Sequence, residues 1–509
     1  MNLRSRLLIG AAILGLASTA TLAGQAVGSG TGPPAATHQE LGATTVNVMT
    51  FNIWLGGGLV DFSKVIEVIR TSDADIVGLQ EAAGRTTEIA ERLGWYAEPR
   101  MHVISRYPII APPEGKGAYV YVQIAPGQVM AVANVHLPSS PYGPELVRDG
   151  STLADVLANE RETRVSALKP LLPVWKRLID SGTPLVLTGD FNAPSHLDWT
   201  PATVGSLPHM KYPVPWPVSL AVERIGLVDT FRSANPDPVA DPGRTWTYGY
   251  PYPRIRPDEV VDRIDLVFAS RGSTVKDSRV VGQPGTPDVD LSVDPYPSDH
   301  RAVVSTLEIT PVEPPLFVAV EKARVERGDA FGVRYHAPRG EDVDRLVVVR
   351  SGRSAAGGAG IMWLPPMEAS FYGQVLFGSG NLKPGAYDVV LLTKKDKEVS
   401  RSGFWVVGAG ARPSVDVART IRQGRPITLS WRSAPAERFD WVAIYPAGEL
   451  DLYNAYLAFA YTEATVDGAY TFGRADLGKK LLPPGDYVAM LASDDHYMVL
   501  DSQRFTVTR

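Results

Sequence analysis

The chain has 509 residues, of which 47 are Gly, 42 are Pro and none is Cys. That length is too great for one core and predicts several domains, while the Gly and Pro content signals many turns yet stays below that of a disordered chain. A net charge of −5 excludes a strongly basic nucleic-acid binder, and the lack of Cys excludes disulfide staples and a thiol-borne lipid.

Arg4 and Arg6 precede an apolar run at 7–22 that small residues close near Ala23. This is the layout of a secretory signal peptide over 1–23, and the run is short for a membrane span. The expected location is therefore secreted or cell-surface, of bacterial type. Residues 24–42 are rich in Gly, Ser, Pro and Ala and read as a flexible leader. Over 43–312, strand-like and helix-like segments alternate. Residues 46–51 predict a strand, and Phe62, Val65, Ile66 and Ile69 recur at i, i+3, i+4 and i+7, one face of a helix. Apolar runs at 74–79, 130–135, 185–187, 264–268 and 302–309 predict further buried strands. Residues 153–180 predict helix, interrupted by Pro170 and Pro173. Such alternation predicts an α/β layered domain.

The linker Thr310-Pro311-Val312-Glu313-Pro314-Pro315 ends that region, and helical periodicity then nearly vanishes. Asp344-Arg345-Leu346-Val347-Val348-Val349 answers to Asp440-Trp441-Val442-Ala443-Ile444-Tyr445. Leu382-Lys383-Pro384-Gly385-Ala386-Tyr387 answers to Leu482-Pro483-Pro484-Gly485-Asp486-Tyr487. The offset of about 96–100 residues is the size of one immunoglobulin-like module, which predicts two all-β sandwiches at 316–408 and 412–509. Asp494-Asp495-His496 reads as a solvated turn, with a calcium site as the alternative.

Polar residues sit where the apolar strands of the first region end: Asn52, Glu81, His136, Asp190 and Asn192, Asp265, and the pair Asp299-His300. Burying each alone would cost on the order of several kcal/mol. Gathered at one rim, they satisfy each other, a cation and a substrate. Thr50-Phe51-Asn52-Ile53-Trp54, Leu79-Gln80-Glu81, Asn134-Val135-His136-Leu137, Gly189-Asp190-Phe191-Asn192, Arg263-Ile264-Asp265-Leu266-Val267-Phe268 and Ser298-Asp299-His300 follow one another in that order. As a set they resemble the motifs of the endonuclease/exonuclease/phosphatase superfamily, the metal-dependent phosphoesterases that include deoxyribonuclease I.

The resemblance covers 44–309 and implies a four-layer α/β sandwich, two central mixed sheets flanked by helices. It implies Glu81, Asn52 and Asp299 at a divalent cation, Mg²⁺ with Mn²⁺ or Ca²⁺ as alternatives, since hard oxygen donors suit such ions. It implies His300 as general base oriented by an aspartate, Asp190 orienting the nucleophile or metal, and Asn192 and His136 donating to the transition-state oxygens. Asp265 and Asp262 both stand as partners for His300. An odd offset on a strand turns them to opposite faces, and the apolar strand directly after Asp265 favours that residue.

The substrate is less defined. Residues 44–312 carry more Asp and Glu than Lys and Arg, although Arg254, Arg256 and Arg263 form a local cluster able to bind phosphate. Arg106 and Tyr107, in Ser105-Arg106-Tyr107-Pro108, are candidate phosphate contacts. Trp216 and Trp246, in segments rich in aromatics and Pro, are candidate walls for an organic group or a lipid surface. The favoured reading is a secreted hydrolase of small or lipid phosphoesters. A secreted nuclease acting on DNA or RNA is the alternative, and a non-catalytic surface binding protein the third. The sandwiches would meet cell wall, glycan or protein.

Overall fold

The computed structural model describes residues 42–509 except 83, 116, 250–258, 338–342, 366–369, 438–439, 450–454, 479–480 and 494–497. The expected signal peptide, residues 24–41 of the leader, Arg254, Arg256, Tyr250-Pro251-Tyr252 and Asp494-Asp495-His496 lie outside the described residues. Among the described residues no helix is long and apolar enough to cross a membrane.

Two mixed sheets build the first region. One orders its strands Leu291–Ser292, Thr274–Gly282, Ala302–Ile309, Thr44–Asn52, Ile76–Gln80, Val103–Ser105 and Tyr96–Glu98. The other orders Ile109–Ile110, Val120–Ala125, Gln128–His136, Leu185–Asp190, Asp265–Ser270 and Leu227–Asp229. Their facing sides share one core: Val46, Val48, Ile76 and Val103 meet Val122, Val132, Val186 and Val267. Helix Phe62–Thr71 lays Val65, Ile66, Val68 and Ile69 on the outer side of the first sheet, against Phe51, Val77 and Leu79. Its start is fixed by Asp61, whose carboxylate accepts from the Ser63 N–H at 2.8 Å. Helices Leu172–Asp180 and Pro217–Arg224 cover the outer side of the second sheet with Trp175, Leu178, Val218 and Val222. The helix predicted over 153–180 forms as three pieces, Leu153–Glu162, Arg164–Leu168 and Leu172–Asp180. Thr163 leaves helical geometry at the first break, and Pro173 lies in the opening turn of the last piece, where its missing N–H is harmless.

The sheet interface is not wholly apolar. Asn134 Oδ1 accepts from Gln80 Nε2 at 2.7 Å and from Thr188 Oγ1 at 3.0 Å, and Asn134 Nδ2 donates to the Leu79 carbonyl at 2.8 Å. The sheets come so close here that a Cβ on Gly78 would stand 2.0 Å from Thr188 Oγ1, which only glycine avoids.

A buried ion network ties the segment before Asp265–Ser270 to the end of Leu227–Asp229 and to the loop after Leu185–Asp190. Arg263, 2% exposed, donates to Asp229 at 2.7 Å and to Asp198 at 3.0 Å, and Arg232 donates to Asp198 at 2.6 Å. Arg263 is therefore a structural cation. The expectation that it binds phosphate does not survive its burial.

Residues 317–407 and 414–508 form two β-sandwiches of the same plan. Each sets a three-stranded sheet against a five-stranded one with corresponding strand order. The repeated Leu-x-Pro-Gly-x-Tyr segment has one job in both. Tyr387 and Tyr487 donate their hydroxyls to carbonyls four residues upstream, Lys383 at 2.7 Å and Pro483 at 2.9 Å, pinning the turn into the next strand. Phe317 of the first sandwich packs on Tyr121, ring centroids 6.0 Å apart, and joins the core of the preceding domain.

Replacing Arg263 with Leu leaves Asp198 and Asp229 buried without their shared cation and should cost about 3–5 kcal/mol, read from urea denaturation at neutral pH. Burial would raise the Asp229 carboxyl, but Arg263 outweighs it and holds it below its usual range. Its contribution is thus present above the unfolded-state value and lost as pH falls. The deficit of the variant should narrow below about pH 4.

Candidate active site

Strand register carries the polar strand ends to one rim. Asn52 lies opposite Gln80 in a parallel pair, so Glu81 emerges beside it. His136 lies opposite Asp190 in another parallel pair, and Asp190 lies opposite Asp265 in an antiparallel one. Ala302–Ile309 runs antiparallel to Thr44–Asn52 with Val303 opposite Thr50, so Asp299 and His300 enter at the same edge.

The side chains then meet. His300 Nδ1 lies 3.0 Å from Asp265 Oδ2, and His300 Nε2 lies 3.8 Å from Asp190 Oδ2. His136 Nε2 approaches the same Asp190 oxygen at 3.6 Å. Asn52 Nδ2 donates to Asp190 Oδ2 at 3.1 Å and to Glu81 Oε1 at 3.2 Å, while its Oδ1 accepts the Trp54 N–H at 3.0 Å. With carboxylates around its nitrogen and one backbone donor on its oxygen, Asn52 ties Glu81 to Asp190, and its oxygen keeps a second lone pair toward the cation expected beside it. Glu81 and Asn192 both hold left-handed backbone, φ 54° and 47°, a costly conformation that aims side chains at the rim. The Asn192 N–H caps Asp190 Oδ1 at 2.9 Å, and Asn192 Nδ2 donates to the Leu137 carbonyl at 2.9 Å, beside His136.

The alternative between Asp262 and Asp265 is decided by these contacts. Asp262 accepts from Trp199 Nε1 at 2.9 Å and faces His209 Nε2 at 3.3 Å, leaving Asp265 on His300. Thr245 Oγ1 accepts the Asp265 N–H at 3.1 Å and steadies that strand end.

Electrostatics follow from burial and like charge. Burial presses the His300 imidazole toward neutrality, but Asp265 and Asp190 outweigh it and raise its pKa to about 10. Burial also raises the Asp265 carboxyl, which the His300 charge opposes, so the proton between them rests on the imidazole. Asp299 is pushed up to about 6 by burial and by Glu81, against the pull of His300.

This set fits a divalent cation. Among the described residues Asp190, Asp265 and His300 each place a ligand-capable atom within 4.8 Å of the others. Asp265 Oδ2 is engaged by His300, but Asp265 Oδ1 is buried without a hydrogen-bond partner among the described residues, so it stands with the oxygens of Asp190, Glu81 and Asp299 as a candidate cation ligand. Asp299 Oδ1 is buried without a hydrogen-bond partner among the described residues, as expected of a carboxylate built to meet a cation. Hard oxygen donors with no thiol suit Mg²⁺-like ions.

Trp246 belongs to the rim, its ring centroid 5.9 Å from that of His300. Three other candidates do not. Trp216 is fully buried, edge-on to Trp199 at 5.1 Å, and cannot wall a substrate. Arg106 and Tyr107 follow Ser105, which pairs with Ile76, the end of its strand remote from Gln80 and Glu81. Antiparallel pairing thus carries them to the far edge of the sheet, where Arg106 binds Asp73 at 3.0 Å. Sequence reasoning assigned no role to Gln80, Asn134 and Thr188, which tie the two sheets together beneath the rim. Their signal was a polar side chain inside an otherwise apolar strand.

Comparison with known proteins adds the following. A model described as the Endonuclease/Exonuclease/phosphatase family matches residues 49–300. An uncharacterised protein of Caenorhabditis elegans is 30% identical over 291 residues, which cover 51% of this chain and 90% of that protein. Among solved structures, an endonuclease/exonuclease/phosphatase from Beutenbergia cavernae is 18% identical, covers 91% of this chain and 99% of its own, and superposes with a TM-score of 0.34. The titin domains z1z2 in complex with telethonin are 15% identical, cover 38% of this chain and 91% of their own, and give 0.13.

In the ion-free protein, NMR of the imidazole should find His300 titrating at about 10. Asp265→Asn should lower that value by about one to three units, the usual effect of an adjacent opposite charge. An unmoved titration would deny that Asp265 holds the proton on the ring.

Proposed function

This chain belongs to the endonuclease/exonuclease/phosphatase family and is a phosphoric ester hydrolase by that membership, and from this premise we propose that it acts outside the cell on small or lipid phosphoesters, with His300 as general base. The observation that carries the reading is the chain of contacts from Asp265 through the His300 ring to Asp190. An imidazole held at Nδ1 by one carboxylate offers Nε2 to a water, and a second carboxylate at that nitrogen orients the water for attack.

Members of the family are typically divalent-metal dependent. Glu81, Asp299 and Asp190 would hold a divalent cation, which would offset the Asp190 charge felt by His300 and the charge that grows on the phosphoryl oxygens. The chain's own groups do the rest. Asn52 holds Glu81 and Asp190 at fixed spacing. His300 Nε2 takes the proton of the water, and Asp265 stabilises the resulting imidazolium. His136, at the Asp190 carboxylate, and the second N–H of the Asn192 amide are placed to donate to the oxygens of the five-coordinate phosphorus.

Two features favour a compact substrate over a nucleic-acid strand. Among the described residues, two arginines near the site are engaged: Arg263 is buried in its ion network, and Arg301, itself buried, lies against the Tyr248 ring. Duplex binding needs several free cations along the phosphate track. The cleft lined by Tyr248, Ser298, Asp299, His300 and Arg301 has a cavity volume of about 220 Å³, which suits a small organic phosphate. An exported enzyme with two sandwiches fits attachment of those modules to cell wall, glycan or protein.

With Mg²⁺ present, His300→Ala and Glu81→Gln should each lower kcat on bis(p-nitrophenyl) phosphate by about 10²–10⁴-fold, and EDTA should abolish turnover until Mg²⁺ is restored. Parallel assays on sphingomyelin, inositol phosphates and plasmid DNA decide the substrate class. Rapid DNA cleavage with no action on the small esters would reverse the order proposed.

A further inference from the structure

The second sandwich carries an aromatic face that its own fold does not need. Trp441 pairs with Tyr461 and Ala443 with Phe459 across adjacent antiparallel strands, so these side chains share one side of the five-stranded sheet. The alternate residues Val442, Ile444, Ala458 and Ala460 face the sandwich core instead. On the outer side Trp441, Tyr456, Phe459 and Tyr461 form a separate cluster centred on Phe459. Its rings stand nearly perpendicular, 6.0 Å from Phe459 to Trp441, 5.3 Å to Tyr456 and 5.7 Å to Tyr461. The first sandwich is an internal control. The repeat places Arg345, Val347 and Val349 where the second has Trp441, Ala443 and Tyr445, and on that outer side a single exposed ring, Trp363 opposite Val347, stands among aliphatic side chains. The same fold therefore forms with one ring on this face where the second sandwich gathers four.

That face turns toward the catalytic rim. Trp441, Tyr456, Phe459 and Tyr461 line a cleft whose opposite wall is His136 and the segment after it, Leu137, Pro138 and Ser139. Its cavity volume is about 60 Å³. His136 thus belongs to both places, with its ring at the Asp190 carboxylate and its flank on the aromatic cleft. The catalytic-domain wall is held firmly, because buried Arg164 donates to the Ser139 carbonyl at 2.7 Å.

We infer that the second β-sandwich completes the substrate site, its aromatic wall stacking on a planar aromatic group esterified to the phosphate held beside His136. The inference rests on the hydrolase reading above and narrows its substrate to aryl-type phosphoesters. Perpendicular rings present both faces and edges to a flat guest, and each such stack favours an aromatic over an alkyl group.

Calorimetry of the full chain with Mg²⁺, using phenyl phosphate and methyl phosphate as probes, tests this without requiring turnover. Phenyl phosphate should bind at least about tenfold more tightly than methyl phosphate, the scale of one good stacking contact. Phe459→Ala and Tyr461→Ser should each remove most of that preference, and Phe459→Tyr, which keeps the ring, should retain it. Trp363→Ala, on the first sandwich, should leave the preference unchanged, and melting temperatures should show each variant folded. Equal affinities, no binding of either probe, or a preference insensitive to both ring deletions would overturn the inference. If bis(p-nitrophenyl) phosphate is hydrolysed but phenyl phosphate is not preferred, the aromatic wall fails and the hydrolase stands. If the preference is present and ring-dependent but no ester turns over, the hydrolase reading fails alone.

Discussion

The strand Leu185–Asp190 is held on both sides, parallel to Gln128–His136 and antiparallel to Asp265–Ser270, and its register decides what the domain can do. Side chains alternate along a strand, so a slip of one residue would turn Asp190 away from the rim and present a neighbour in its place. Every residue of this strand is buried, and its apolar side chains are divided between the two cores, Val186 facing the partner sheet and Leu185 and Leu187 the helices. Moving it would expose one set and bury polar groups in the other. The hydrophobic packing therefore fixes Asp190 where His136, Asn52 and His300 can reach it. Catalytic geometry here is a by-product of the core's refusal to shift.

The rim itself works against stability. Asp190, Asp265, Asp299 and His300 are gathered out of water, and Glu81 and Asn192 hold strained backbone. Each feature is unfavourable taken alone. They persist because the elements carrying them are anchored elsewhere: by two faces of apolar packing, by the Gln80–Asn134–Thr188 layer between the sheets, and by the Arg263 network. The orphaned Asp299 oxygen and the elevated His300 proton affinity record a concentration of negative charge that a cation would relieve.

The two sandwiches show how a repeated fold divides its labour. Inward-facing positions and the tyrosine that pins each corner follow the same plan in both copies, because the core tolerates little else. Outward-facing positions are free to differ. One copy sets a single Trp363 among Val and Leu, the other gathers Trp, Tyr and Phe beside His136.

From the sequence alone the change from α/β alternation to sandwich patterning, the internal repeat and the polar residues at strand ends were legible. Strand periodicity, turn residues and the ordered polar motifs at strand ends are local signals. The same reading misplaced Trp216, Arg106 and Arg263. An aromatic in a Pro-rich segment looks alike whether buried or exposed, and Arg263 becomes a structural cation only when Asp198 and Asp229, far away in the chain, fold around it. Nor could spacing show that Asn52 donates to carboxylates, or that Arg106 leaves at the opposite end of its strand from Glu81. What local patterns specify is which residues are polar and where strands stop. Which of those ends share an edge, and which nitrogen or oxygen faces which charge, depends on contacts between residues hundreds of positions apart, and only the assembled sheets decide that.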